Sequence, residues 1–83
     1  MNPRVSDVKY QHPYKLILTF SNGEVKGFDL INYLNYPVYE KLKDPFFCSK
    51  VKTFNGTAVW DDEIDFDPDT LYFDSKTLVE TTP

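Results

Sequence analysis

Few side chains of this sequence could do chemistry. His12 and Cys48 are the only histidine and the only cysteine of the sequence. Residues of these types can form a nucleophile–base pair. His12 stands before Pro13 in a turn-like stretch, and Cys48 follows Phe46 and Phe47 in an apolar segment, where a free cysteine behaves as a small buried hydrophobe. We therefore predict that Cys48 is buried and inert, that His12 lies far from it, and that the chain has no catalytic residues.

Three aspartates, Asp65, Asp67 and Asp69, have the spacing that opens a calcium-binding loop. The match then fails, because Thr70 stands where the loop needs glycine and Lys76 where it needs a bidentate glutamate. Asp67 and the proline after it are better explained as the start of a helix. No metal-ligand cluster and no glycine-rich phosphate loop occurs elsewhere, so neither a metal nor a cofactor is predicted.

The acidic run Asp61, Asp62 and Glu63 is the candidate site that remains. Adjacent carboxylates point in different directions, which argues against paired acid–base catalysis. With Asp65, these residues are predicted to bind a partner, because clustered exposed carboxylates favour contact with a basic surface. The alternative is a solvated turn whose charges only keep a small domain soluble.

Charge is divided unevenly along the chain. Residues 1–52 hold eight basic and five acidic side chains, a net charge of +3, whereas residues 53–83 hold one basic and eight acidic side chains, a net charge of −7. An acidic surface repels phosphate, so direct binding of nucleic acid is not expected. A small protein with a basic surface is the predicted partner, and homo-oligomerisation stays open.

Length and composition indicate one folded domain. The chain has 83 residues, of which 41% are hydrophobic and 17% aromatic. One cysteine excludes an internal disulfide, and neither a secretory signal nor an apolar run of about 20 residues occurs, so a cytoplasmic protein without a membrane segment is predicted. We expect residues 1–76 to form the domain and residues 77–83 a loose tail.

Two Asn-Gly pairs predict two hairpins. A two-residue turn at Asn22-Gly23, with positive φ at both residues, would place Phe20 opposite Val25 and Ile17 opposite Phe28. The predicted core face is then Leu16, Leu18, Phe20 and Val25, and Ile17 and Phe28 lie on the other face with Lys15, Thr19 and Lys26. A preceding strand is predicted from Val5 to Tyr10.

The second turn, at Asn55-Gly56, would pair Phe54 with Thr57 and Lys52 with Val59. One face of this hairpin carries Val51, Ala58 and Trp60, and the other carries Phe54 and Val59. The pattern leaves open which face is buried. Trp60 is expected in the core rather than as a stacking platform.

Short helices are predicted between and after the hairpins. Asp29 is a candidate N-cap for residues 30–35, and Pro37 starts a second piece with Val38 and Leu42 on one face. Asp44 and Asp67, each followed by proline, start two more. The predicted fold is α+β, a small antiparallel sheet built from hairpins with short helices packed on it.

Three stretches of the chain carry a recognisable pattern: Phe20–Leu30; Leu42–Pro45 with Phe46, Phe47 and Val51; and Trp60 with Asp65, Pro68-Asp69 and Leu71-Tyr72. Together they resemble one bacterial family, the one catalogued as domain of unknown function 2442. The resemblance covers about Pro3 to Tyr72. It departs at Asp61–Glu63, where many members show Pro-Asn-Gly, which makes this turn more acidic and less rigid.

The resemblance implies an α+β fold and no established catalytic residues. Some members continue into a helix-turn-helix domain, a signature that these residues do not show, and others are encoded beside a small protein in a toxin–antitoxin-like arrangement. The leading hypothesis is a protein-binding module, the antitoxin-like member of a two-protein pair. The alternative is an accessory or sensor domain in transcription regulation that acts through a separate DNA-binding chain.

Overall fold

The chain folds into two antiparallel sheets with short helices between and beside them. The computed structural model describes residues 2–61 and 63–77, and the predicted tail lies outside these residues except for Thr77. The elements in chain order are β1 Val5–Gln11, β2 Lys15–Phe20, β3 Val25–Asp29, 3₁₀ helices at Ile31–Tyr33 and Pro37–Lys43, α1 Pro45–Cys48, β4 Lys52–Phe54, β5 Thr57–Trp60, β6 Ile64–Asp65, α2 Pro68–Asp74 and β7 Lys76–Thr77. The strand orders are β1-β2-β3-β7 and β4-β5-β6, which confirms the α+β class.

One face of β2 forms the centre of the core, as predicted. Leu16, Leu18 and Phe20 alternate along the strand, and each exposes no more than 1% of its surface. Lys15 and Thr19 lie on the opposite face, since side chains of a strand alternate between its two faces. The predicted core face of β2 is therefore confirmed.

The turn between β2 and β3 differs from the prediction by one residue. Its loop has three residues, Ser21 to Gly23, and the Gly23 N–H donates to the Phe20 carbonyl at 2.9 Å. Gly23 has φ of +91°, whereas Asn22 is not among the positive-φ residues, so the prediction for Asn22 is wrong. The side-chain oxygen of Asn22 instead accepts from the Glu24 N–H at 3.0 Å, which stabilises the longer loop.

The longer loop shifts every pairing along β3. Leu16 lies opposite Phe28, Ile17 opposite Gly27, Leu18 opposite Lys26, and Thr19 opposite Val25. Because directly paired residues share a face, Phe28 joins the core at 1% exposure and Val25 moves to the outer face. The predicted pairing of Ile17 with Phe28 on the outer face, and the outward position of Lys26, are therefore wrong.

The second hairpin has the predicted register. Phe54 pairs with Thr57 and Lys52 with Val59 across a turn in which Asn55 and Gly56 have φ of +53° and +80°. The buried face, which the sequence left open, is the one with Ala58 and Trp60, at 0% and 3% exposure. Phe54, on the other face, is 62% exposed.

The helix starts predicted at aspartate–proline pairs are confirmed. The Asp44 carboxylate accepts from the Phe46 N–H at 3.0 Å, and that of Asp67 from the Thr70 N–H at 3.1 Å. Asp29 accepts from the Ile31 N–H, but the helix predicted over residues 30–35 is a 3₁₀ turn of three residues.

The segment after Pro37 is also a 3₁₀ helix. With three residues per turn, residues four apart such as Val38 and Leu42 lie on different faces of the helix. Leu42 is fully buried while Val38 is 61% exposed, so the predicted shared face is wrong.

Phe66 joins the two sheets through aromatic contacts. Its ring lies parallel to that of Tyr39 at 4.6 Å and meets the rings of Phe28 and Tyr33 edge-on at 5.3 Å. Trp60 completes the cluster, with its ring 5.9 Å from that of Phe66. Such pairs stabilise a fold by about 0.5–1.5 kcal/mol each beyond their buried area, which suits a chain of this size.

Candidate functional site

The acidic segment predicted to bind a partner forms an exposed strip from the end of β5 to the first turn of α2. Asp61, Glu63, Asp65, Asp67 and Asp69 are all exposed, while Ile64 and Phe66 between them are buried. The alternation anchors the strip by its apolar side chains and turns its carboxylates outward. We call these five acidic residues the acidic strip; Asp62, also predicted for this site, lies outside the described residues.

Backbone geometry holds the strip in place at both ends. β6 pairs with β5 through Asp65 opposite Val59 and Ile64 opposite Trp60. Glu63, just before β6, has φ of +61°, an uncommon conformation for a residue with a side chain. At the far end, Asp67 is occupied as the N-cap of α2. The backbones of Glu63 and Asp65 are held in this way, but within the described residues their side chains neither cap a helix nor form an ion pair.

An ion pair links the strip to the basic part of the chain. The Lys52 ammonium lies 3.6 Å from an Asp61 carboxylate oxygen, and the two side chains are 63% and 69% exposed. A pair this exposed contributes at most about 1 kcal/mol. Asp61 can therefore exchange Lys52 for a cation of a partner at little cost.

The structure gives His12 and Cys48 separate surroundings. His12 is exposed and its Nδ1 lies 3.2 Å from the Tyr10 hydroxyl. Cys48 is fully buried, as predicted, and its carbonyl accepts from the Trp60 indole N–H at 2.8 Å. Burial raises the pKa of the Cys48 thiol to about 11, so the nucleophilic thiolate is scarce at neutral pH.

Over residues 2–61 and 63–77, no group of three or more histidine, cysteine or acidic side chains is arranged to hold a metal ion. The three aspartates with calcium-loop spacing lie along a strand end and a helix start instead. Among the same residues, no helix is long and apolar enough to cross a membrane.

Two polar clusters around α2 have no local signal in the sequence. The Tyr72 hydroxyl donates to Glu24 at 2.7 Å, and Glu24 also accepts from the Asn22 side chain at 2.7 Å. The hydrogen bond from Tyr72 is the main cause that lowers the pKa of Glu24, and the same bond raises the pKa of Tyr72. These contacts depend on the observed register of β3, so the register predicted from the sequence could not show them.

The second cluster joins the first 3₁₀ helix to the end of α2. The Tyr33 hydroxyl donates to Asp74 at 2.7 Å. Burial, and then this hydrogen bond, raise the pKa of Tyr33 to about 12. Asp74 is 41 residues from Tyr33 in the sequence, and no local signal pairs the two.

Fold and site together define a small α+β module with an exposed acidic strip. A family model matches residues 5–77, and the chain belongs to that family, described as protein of unknown function DUF2442. The resemblance inferred from sequence is thereby confirmed.

This chain is similar to a protein of known structure. That structure is the crystal structure of the protein named Putative DNA Binding Protein NE0471, from Nitrosomonas europaea ATCC 19718, with a TM-score of 0.79 and 28% sequence identity. The match covers 90% of this chain and 50% of the other, so this chain spans about half the length of that relative. The search of curated proteins found no match.

Proposed function

We propose that this chain is a non-catalytic protein-binding module, an accessory domain for a DNA-binding regulator, and that it contacts a basic protein surface rather than DNA. The observation that carries the proposal is the acidic strip, whose five carboxylates are exposed on a backbone anchored by Ile64 and Phe66. A rigid row of like charges costs stability through repulsion, and it speeds association with a surface of opposite charge.

The similarity to NE0471 supports the accessory role. This fold accounts for half of a protein whose name describes it as DNA-binding. A net charge of −4 and an acidic strip disfavour contact of this module with phosphates. The DNA contact would then belong to another domain or another chain.

The antitoxin-like role stays a narrower prediction. It requires the same acidic contact with a small basic protein. The accessory role is favoured over it because the relative is named for DNA binding.

Two measurements test the proposal. The first titrates the purified chain into a fluorescently labelled DNA duplex at low salt and follows anisotropy, and we expect no rise. The second isolates partners by crosslinking in the native host, purifies the main one, and adds it to the duplex with and without this chain. A partner that binds DNA and carries this chain into the complex is the expected result. Salt-sensitive binding of DNA by the chain alone would overturn the proposal.

A further inference from the structure

The outer face of the four-stranded sheet contains a hollow next to Gly27. Gly27 lies opposite Ile17 on that face, and because glycine has no side chain, the surface dips beside the half-buried Ile17. The hollow has a volume of about 270 Å³. Lys15 and Asp29, which are also paired across β2 and β3, stand at its rim.

A second hollow, of about 450 Å³, adjoins the first. The two share Asp29, Asp74 and Lys76, and the second adds an aromatic wall from Tyr33 and Tyr36. Tyr36 is 57% exposed, so its ring is available for contact. We call the two hollows together the Gly27 groove.

The charged groups of the groove are open to a ligand. Within the part of the chain that the structure describes, neither Lys15 nor Lys76 forms an ion pair. One oxygen of Asp29 accepts from the Ile31 N–H and one of Asp74 from the Tyr33 hydroxyl. Each carboxylate therefore has a second oxygen without a hydrogen bond in the described structure.

We propose that the Gly27 groove binds a small zwitterion, a free amino acid with an aromatic side chain. Its carboxylate lies against the ammonium groups of Lys15 and Lys76, and its ammonium against Asp29 and Asp74. The aromatic ring packs on Tyr36 in the second hollow.

Electrostatics favour a ligand that carries both charges. The four charged groups sum to zero, so an anion alone would meet two carboxylates, and a cation alone would meet two ammonium groups. An apolar ligand would remove water from these groups and give them no partner, which is costly. A ligand with both charges satisfies both pairs through charge-assisted hydrogen bonds, which are stronger than those of an uncharged polar ligand.

The inference goes beyond the proposed function, because the groove shares no residue with the acidic strip. Its test therefore succeeds or fails independently of any protein partner. The experiment follows ¹⁵N–¹H amide shifts of the full chain during titration with L-phenylalanine, with phenethylamine, which lacks the carboxylate, and with 3-phenylpropionate, which lacks the ammonium.

We expect L-phenylalanine to shift the amides of Gly27 and Lys76 in a saturable way, and each single-charge analogue to bind about tenfold more weakly. Lys15→Gln and Asp74→Asn should each weaken L-phenylalanine about tenfold, since each removes one charge. Lys50→Gln is the matched control, because Lys50 is exposed after α1 and lines neither hollow. It should bind as the unmodified chain does.

Several outcomes overturn the proposal. They are no saturable shift up to about 20 mM, a range that detects millimolar affinity; equal binding of the three probes; or shifts confined to residues outside the groove. Tighter binding of phenethylamine than of L-phenylalanine would show a cation site instead. The dispersion of the spectrum of each variant reports whether it is folded.

Discussion

The Lys26 ammonium lies 3.8 Å from the centre of the Tyr72 ring and donates to the Tyr72 carbonyl at 3.0 Å. One charged side chain thus ties β3 to α2 by a cation–π contact and by a hydrogen bond to a carbonyl in the last turn of the helix, where a positive charge is favourable. The contact exists because Lys26 stands opposite Leu18, on the core side of the sheet.

Lys26→Ala should lower the free energy of unfolding by about 1–2 kcal/mol, because both contacts are lost and the stem no longer covers the core. Lys50→Ala is the matched control: Lys50 lies 4.6 Å from the centre of an exposed Phe46 ring. That variant should change stability by no more than about 0.5 kcal/mol. Urea denaturation of both variants measures the difference. Equal losses would show that the Lys26 contacts add nothing specific.

The two turn glycines provide a comparison of backbone strain with crowding. Both have positive φ, yet a Cβ at Gly56 would lie 3.0 Å from Arg4 Cβ, while one at Gly23 would meet nothing within 4 Å. Gly23→Ala should cost about 1 kcal/mol, from the left-handed backbone alone. Gly56→Ala should cost more, since Arg4 must also move. Thermal and urea denaturation can rank the two variants, and a larger loss for Gly23→Ala would contradict the packing argument.

Local signals predicted more of this fold than long-range ones. Asp44 and Asp67 mark helix starts through chemistry within three residues of each, and the structure confirms both. The turn at Asn22-Gly23 was predicted wrongly because an Asn-Gly pair suits both a two-residue and a three-residue loop. The observed loop is stabilised by a hydrogen bond that the Asn22 side-chain oxygen accepts from the Glu24 N–H. The extra loop residue places Phe28 in the core and Lys26 against the Tyr72 ring of α2.

The two candidate sites also differ in how far the sequence reveals them. The acidic strip is contiguous in sequence, so composition revealed it. The Gly27 groove combines residues of β2, β3 and β7 with the end of α2, and a register error of one residue was enough to conceal it. Lys15 and Asp29 become neighbours only in the true register.

The buried thiol should be unreactive in the folded protein. Cys48 is fully buried and its pKa is raised to about 11, so a thiol reagent at pH 8 should react only as fast as the protein unfolds. Thr53→Cys, which adds a thiol at an exposed position, should react with one equivalent at once. Absorbance after addition of an aromatic disulfide records both. Immediate reaction of the unmodified protein would show that Cys48 is accessible.

The same thiol should make stability depend on alkaline pH. Its pKa is raised by burial from 9.0 to about 11, so the folded state holds its proton longer than the unfolded state does. The stabilisation is complete below about pH 9 and is lost as pH rises to about 11, by up to about 2–3 kcal/mol. Cys48→Ala should flatten this loss between pH 9 and 11 and should keep the loss that Tyr33, with its pKa raised to about 12, adds above pH 10. Urea denaturation across this pH range measures both. An unchanged slope in Cys48→Ala would exclude the thiol as its source.

The acidic strip should govern the rate at which the partner binds. Glu63→Gln with Asp65→Asn removes two exposed charges that neither cap a helix nor form an ion pair within the described residues. The matched control, Asp7→Asn with Glu40→Gln, removes two exposed charges elsewhere and leaves the same net charge. With the partner isolated by crosslinking, stopped-flow association should slow by about threefold to tenfold for the strip variant and little for the control, because steering depends on where the charges lie. The difference should shrink as salt rises, since the Debye length falls from about 10 Å at 0.1 M to about 3 Å at 1 M. Equal rates for the two variants at low salt would show that the strip only keeps the domain soluble, and the partner would then have to bind another surface of the module.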